Sequence, residues 1–420
     1  MLSVIPKRYA RDIWTIFFAR IVTASGFAIS MPFFSLYLNN ELGIRMTVVG
    51  IILMSATLVG AILGVYGGEL SDRKGRKWVM VRALIWRFVL FAIMAYFIAR
   101  RSSIFIITAL LIANSAFGAF FIPASQSYVA DLTSPEKRTR AYGLLRIGGN
   151  FGWALGLIIG GLLVTIDYAL LFYFTSLSMF IAAILVIILS KESLPSDRHP
   201  QDSRTSIKDM LSVAKDTRFL LFTTICVLVY IVWGQLIYPL SVYSVNIIGI
   251  TKPQLSILFT INGLMVVFFQ YFITNLIPPK RELAALWIGA FIYGFGYLFV
   301  GFAGGLAFLI FSVIIITIGE MIVTPTSLSY ASIIALDTHK GRYLGFFNLA
   351  QSLGWAVAPL IGGILIDTFT GKSISSWAII ASLAFISAIG FIIFGRKYKT
   401  HLRVSMGEPS TRDPLILNQT

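Results

Sequence analysis

Cysteine occurs once in this 420-residue chain, at Cys226, and histidine three times. A single cysteine excludes an internal disulfide. The histidines (His199, His339 and His401) fall in expected loops or tail, away from any cysteine or paired acid, so no metal site is expected. Charge is scarce too: Asp, Glu, Lys and Arg make up 12% of the chain against 57% hydrophobic residues. So few charges cannot cover a soluble fold of this apolarity. There is no G-x-x-x-x-G-K-[ST] loop, which argues against an ATP-driven pump. No nucleophile–base constellation appears, so neither an enzyme nor a bound cofactor is expected.

What is present in quantity is long apolar runs. A spanning helix needs roughly 20 such residues. Twelve candidates occur, at about 13–38, 47–69, 78–98, 104–130, 142–166, 170–190, 219–245, 254–276, 284–302, 306–335, 343–367 and 375–394. None alternates with the period of a barrel strand. The fold class expected is therefore all-α and integral to the membrane, with the lipid bilayer as solvent. The first run is too long for the core of a signal peptide and is expected to be retained.

The net charge of +16 suggests nucleic acid, but topology accounts for it better. With a cytoplasmic N-terminus, only Arg45, Arg100, Arg101, Lys252 and Lys372 fall outside. Arg20, Arg82, Arg87 and Arg146 fall within spans, and the remaining 25 of the 34 Lys and Arg lie inside. This positive-inside bias places both termini in the cytoplasm of a multi-pass cell-membrane protein, with no nucleic-acid partner. The Arg100-Arg101 pair is an exception that the sequence leaves without an account.

The least apolar long segment, 191–217, reads as a cytoplasmic linker. It divides the chain into a six-helix bundle over 1–190 and a second over 218–395, followed by a cytoplasmic tail over 396–420. The halves resemble each other. At a shift of 202 residues, 123–163 and 325–365 share thirteen of 41 positions without a gap, among them Pro123 with Pro325, Tyr128 with Tyr330 and Gly152-Trp153-Ala154 with Gly354-Trp355-Ala356. Apolar bias alone would not align prolines, tryptophans and glycines.

Between the second and third spans stands Gly68-Glu69-Leu70-Ser71-Asp72-Arg73-Lys74-Gly75-Arg76-Lys77. Its G-x-L-S-D-R-x-G-R-K spacing resembles the loop signature of the major facilitator superfamily. Gly26 and Pro32 in the first span resemble the drug:proton antiporter branch of that family. The resemblance implies a secondary transporter of two pseudo-symmetric six-helix bundles, with a small-molecule substrate held at mid-membrane between them. It further implies a conformational latch of Gly68, Asp72, Arg73, Gly75, Arg76, Lys77 and Asp131. In it Asp72 meets the start of the eleventh span near Tyr343–Gly345, and Arg76 pairs with Asp131. These contacts would hold the outward-open state and break on inward opening. The plainer alternative is an ordinary basic loop.

Gly152, Gly156, Gly160 and Gly161 in the fifth span, and Gly354, Pro359, Gly362 and Gly363 in the eleventh, suit close helix packing. The family's fifth-span antiporter pattern has a proline where this chain has Leu157, and Pro359 occupies the repeat-related place instead. That departure leaves generic packing open.

Glu320 is the only acid deep within an expected span, where an unpaired charge costs roughly 3 kcal/mol or more. It suits a proton carrier drawing on the proton gradient, with Arg20 tuning it; a structural partner for a buried arginine is the alternative. Arg146, Asn150, Gln235, Tyr238, Asn262, Asn348 and Gln351 are candidate cavity residues, or interhelical hydrogen-bonding groups. Arg82 and Arg87 fit snorkelling to headgroups; Arg87, like Arg20 and Arg146, could instead pair with Glu320 or face a wet cavity and bind anions, which is the ground for an organic-anion alternative. The expectation is a monomeric, proton-coupled antiporter that exports small amphipathic compounds by alternating access. Uptake or exchange of small organic anions is the first alternative, and a non-transporting receptor or scaffold on the same fold is the second.

Overall fold

A computed structural model describes residues 10–194, 210–278, 280–336, 339–369 and 373–398, without the side chains of 135–137, 139–140 and 373. Most of the expected linker (195–209) and tail (399–420), together with His199, His401 and Lys372, lies outside the described residues.

Twelve stretches are long and apolar enough to cross a membrane, and no strand occurs among the described residues. The first six are α1 (Ala10–Leu36), α2 (Met46–Lys74), α3 (Arg76–Ala99), α4 (Ile104–Leu132), α5 (Pro135–Leu163) and α6 (Tyr168–Leu189). The seventh span is two helices, α7 (Thr217–Trp233) and α8 (Tyr238–Asn246). Then follow α9 (Lys252–Asn275), α10 (Glu282–Gly301), α11 (Leu306–Ile334), α12 (Lys340–Thr368) and α13 (Ser373–Lys397). Helices α1–α6 pack into one bundle and α7–α13 into another.

The break in the seventh span differs from the single helix expected, and Pro239 explains it. Proline donates no backbone hydrogen bond and crowds the carbonyl four residues earlier. Here that carbonyl, on Gln235, accepts from Leu240 N at 3.1 Å instead. Pro325 is carried within α11. The carbonyl it strands is that of Met321, which takes the Gln270 Nε2 at 2.9 Å. A side chain thus supplies the donor that the bilayer cannot.

The glycines sort the packing into two kinds. A methyl group at Gly152 or Gly156 would run into the backbone of Ile21 or Ser25 on α1, and one at Gly160 into Ile29. In the second bundle Gly354 and Gly362 lie just as close to α7 and to Pro239 of α8. The adjacent glycines turn the other way. Gly161 abuts Ser256 of α9, and Gly363 abuts Met46 of α2, each in the opposite bundle. One Gly-Gly pair therefore seats its helix within its own half and against the other half.

Candidate functional site

The halves meet through α1 with α8, α2 with α12, and α5 with α9. Their contact is concentrated at the end away from the 68–77 loop. Along α2, Met46, Val49, Gly50, Ile52, Leu53 and Ala56 are buried, whereas from Thr57 to Lys74 only Gly67 and Ser71 are. A side chain at Gly50 would strike the Pro359–Leu360 backbone, whereas Gly68 has no such neighbour within 4 Å. The far end is closed and the loop end is open.

Two polar clusters fasten the closed end. Asp367, at the end of α12, receives Met46 N at 3.1 Å, Thr47 N at 2.8 Å and Thr47 Oγ1 at 2.7 Å. Its carboxylate thus caps the exposed N–H groups at the start of α2, where the helix dipole favours an anion. Beside it, Asn246 Nδ2 donates to Asn39 Oδ1 at 2.8 Å and Asn40 Oδ1 at 2.7 Å. Asn39 and Asn246 are separated by 207 residues, the shift that also relates Pro32 to Pro239. Arg101 pairs with Glu41 at 3.1 Å and Arg100 lies over the Tyr96 ring, so both bases of the exceptional pair are occupied.

At the loop end, Arg76 is fully buried and its Nε stands 3.1 Å from Asp131 Oδ2. Asp72 stands as the latch reading has it for a state open at the loop end. It lies 2.5 Å from Arg76 Nη1, with its side chain 44% exposed, and not at the start of α12. The halves are apart at this end, so the start of α12 is out of its reach. Only the expected breaking of the second contact is corrected: Arg76 holds Asp131 with the loop end open, because both residues belong to the first half. Arg73 pairs with Glu69 at 2.6 Å, and Lys77 Nζ donates to the carbonyls of Ile187 and Ser190. Glu192 was not foreseen. Its carboxylate accepts Arg76 N at 2.7 Å and Lys77 N at 3.1 Å, capping α3. Gly75, at φ +108°, has no side chain to block it.

Glu320 stands midway along α11. Asn262 Nδ2 of α9 bonds its Oε2 at 2.9 Å and Thr317 Oγ1 at 2.9 Å. The Trp233 side chain is a hydrogen-bonding neighbour, and the arginine within electrostatic reach is Arg146 of the opposite half. Arg146 Nη2 also meets Gln270 Oε1 at 3.2 Å, and Gln270 holds the Met321 carbonyl next to Glu320. Tyr293 and Tyr297 of α10, not singled out from sequence, lie within electrostatic reach behind it.

Arg20 also needs correction as the residue that tunes Glu320. It lies against Gly149 of α5 and within electrostatic reach of Arg87, both in the first half. Arg87 does not snorkel; it is 8% exposed and its Nε donates to Asn114 Oδ1 at 3.2 Å. Arg82 is exposed, 4.0 Å above the Trp78 ring. Gln235 is wholly buried and donates to the carbonyls of Ile231 and Ala358, joining the broken span to α12. Tyr238 is buried beside the break. Asn150 lies on α5 and Asn348 and Gln351 on α12, with Asn348 exposed and the other two partly buried.

Two six-helix bundles, closed at one end around a mid-membrane carboxyl, define a multi-pass membrane protein of transporter architecture. The family model of the Major Facilitator Superfamily matches residues 16–359, and the chain belongs to that family. It is a transporter of that family and not an enzyme. It is 28% identical over 370 residues to the multidrug resistance protein MdtH of Proteus mirabilis, covering 86% of this chain and 89% of the relative. It is 26% identical over 391 residues to the MFS-type transporter YqjV of Bacillus subtilis, covering 91% and 92%. Among solved structures, the human organic anion transporter MFSD10 aligns with TM-score 0.69 at 17% identity, over 92% of this chain and 100% of that one. A peptide transporter POT in complex with sulfate aligns with TM-score 0.74 at 16% identity, over 94% and 97%. At these identities the two structures speak for the fold alone.

Proposed function

We propose that this chain exports small amphipathic compounds in exchange for protons, by alternating access, with Glu320 carrying the proton. The observation that carries this reading is Glu320 at mid-membrane, bonded by Asn262 and within reach of Arg146 across the interface. A carboxylate there draws Arg146 toward the second half. A protonated carboxyl does not, so proton uptake loosens the halves where substrate would sit. Likeness to the MdtH multidrug resistance proteins supports the direction and the substrate class.

In this reading Asn262, Asn348, Gln351, Asn150 and Arg146 border the substrate, while the buried Gln235 and Tyr238 hold the broken seventh span in place. Arg76–Asp131 is a standing brace, and Asp72 is the movable part of the loop-end latch. The 68–77 end faces the cytoplasm of the cell membrane, as the positive-inside bias requires, and one monomer suffices because each monomer carries both halves.

The test is proton flux in proteoliposomes under an imposed pH gradient, comparing wild type with Glu320→Gln across lipophilic cations and organic anions. Cation-triggered flux in wild type that disappears in the variant is expected. Equal flux in both would remove Glu320 from the mechanism.

A further inference from the structure

Within the first half, Arg20 of α1, Arg87 of α3 and Asn114 of α4 come together without an acid. Arg87 is 8% exposed and Asn114 4%. The two guanidinium groups lie within electrostatic reach of each other. Arg87 spends Nε on Asn114 Oδ1, which turns Asn114 Nδ2 away as a fully buried donor with no partner. Among the described residues no carboxylate lies within ion-pairing distance of either arginine. Both arginines lie directly against glycines. A methyl group at Gly118 would stand 3.3 Å from Arg87 Nε, and one at Gly149 would stand 3.4 Å from Arg20 Nε.

Two like charges held together at membrane depth repel, and each also loses its hydration. Arginine cannot shed its proton to relieve this. The cluster therefore has positive charge with no carboxylate to balance it, and one buried amide donor, Asn114 Nδ2, with no acceptor. An oxyanion supplies both missing elements, and guanidinium forks match a carboxylate, sulfonate or phosphate group through paired hydrogen bonds.

We propose that Arg20, Arg87 and Asn114 form an anion-binding site that receives the acidic group of an amphipathic transported compound. The identity of the occupant rests on the transporter reading above; the binding itself does not. The site is separate from Glu320, so a compound with an acidic group and an apolar body would bind in the first half while the proton is handled in the second. A free inorganic oxyanion shares the same chemistry and is distinguished by the test.

The experiment measures binding to the full-length protein in nanodiscs of zwitterionic lipid. The probes are fluorescein as an amphipathic carboxylate, sulfate as the inorganic anion and tetraphenylphosphonium as a lipophilic cation. Wild type is compared with Arg87→Gln, Arg20→Gln, Arg87→Lys and the control Arg82→Gln. Fluorescein binding is expected to weaken by about tenfold or more in both Gln variants, the scale of a lost charge-assisted bond. Arg87→Lys should fall between, and Arg82→Gln should match wild type. Melting temperature and tetraphenylphosphonium binding report whether each variant is folded, and Arg20→Gln carries the test if Arg87→Gln is not. Displacement of fluorescein by sulfate makes a free oxyanion a competent occupant; displacement by organic anions alone assigns the site to substrate. Fluorescein binding that is absent in wild type, or equal in wild type and the folded Gln variants, overturns the proposal. Loss of proton flux in Glu320→Gln with fluorescein binding intact leaves this site standing, so the two readings fail separately.

Discussion

Replacing Asp367 with asparagine should open the closed end. Asp367 sits on α12, and everything it binds sits on α2 in the other half, so its hydrogen bonds exist only while that end is shut. The carboxylate accepts two backbone N–H groups and one hydroxyl, at 2.7 to 3.1 Å. Hydrogen bonds to a charged group are worth about 1.5–3 kcal/mol each when removed from a buried site. Asp367 is half-buried, which discounts that value, and asparagine keeps one acceptor oxygen. The favourable meeting of a carboxylate with a helix N-terminus adds about 0.3–1 kcal/mol. A net loss of about 1.5–3 kcal/mol follows, shifting the equilibrium about 10- to 150-fold toward states open at the far end.

The assay is electron–electron distance measurement between spin labels on the two halves. Phe105→Cys and Ile247→Cys are suitable sites, at 82% and 41% exposed, after the buried Cys226 is changed to alanine. Asp367→Asn should move the distribution toward longer distances. Thr47→Val should do the same less strongly, and the double variant should fall short of the sum because both remove one shared bond. A distribution identical to wild type in Asp367→Asn would refute the view that this cap holds the end closed.

Two other variants test the packing. Gly156→Val should prevent α1 from seating and abolish a cooperative melt, because its side chain would occupy the space of the Ser25 backbone. Gly143→Ala on the same helix, with no neighbour within 4 Å, should instead be neutral or gain up to about 1 kcal/mol from helix propensity. Gln270→Leu should cost about 1–3 kcal/mol, read as a lower melting temperature, because it leaves the Met321 carbonyl unpaired in an apolar surround. If the melting temperature holds, water or another donor serves that carbonyl.

The spans, their grouping in sixes and the internal repeat were legible because lipid imposes length and apolarity on every crossing. The pairing of Arg76 with Asp131 followed from the family resemblance of the loop. Facing was not legible. In a membrane the lipid side and the core side of a helix are equally apolar, so composition does not say where Arg20 points. Nothing local distinguishes an arginine that meets Glu320 from one that meets Arg87. Asp367, at a span end, and Glu192, within the expected linker, drew no role because their partners lie 320 and 116 residues away. The break before Pro239 was missed because the same residue type, Pro32, stays inside α1. Tertiary contacts decide which proline interrupts its helix.

The paired glycines of α5 and α12 have a consequence for how such a protein can change. In each pair one residue is a rivet and its neighbour a bearing surface. Gly160 and Gly362 touch partners that never leave, so alterations there are felt as a failure to assemble. Under the proposed alternating access, Gly161 and Gly363 touch partners that depart and return in each turnover, so alterations there would be felt as a change of pace. Durability and speed are thus written on adjacent letters of one helix, and a lineage can retune the second without rewriting the first.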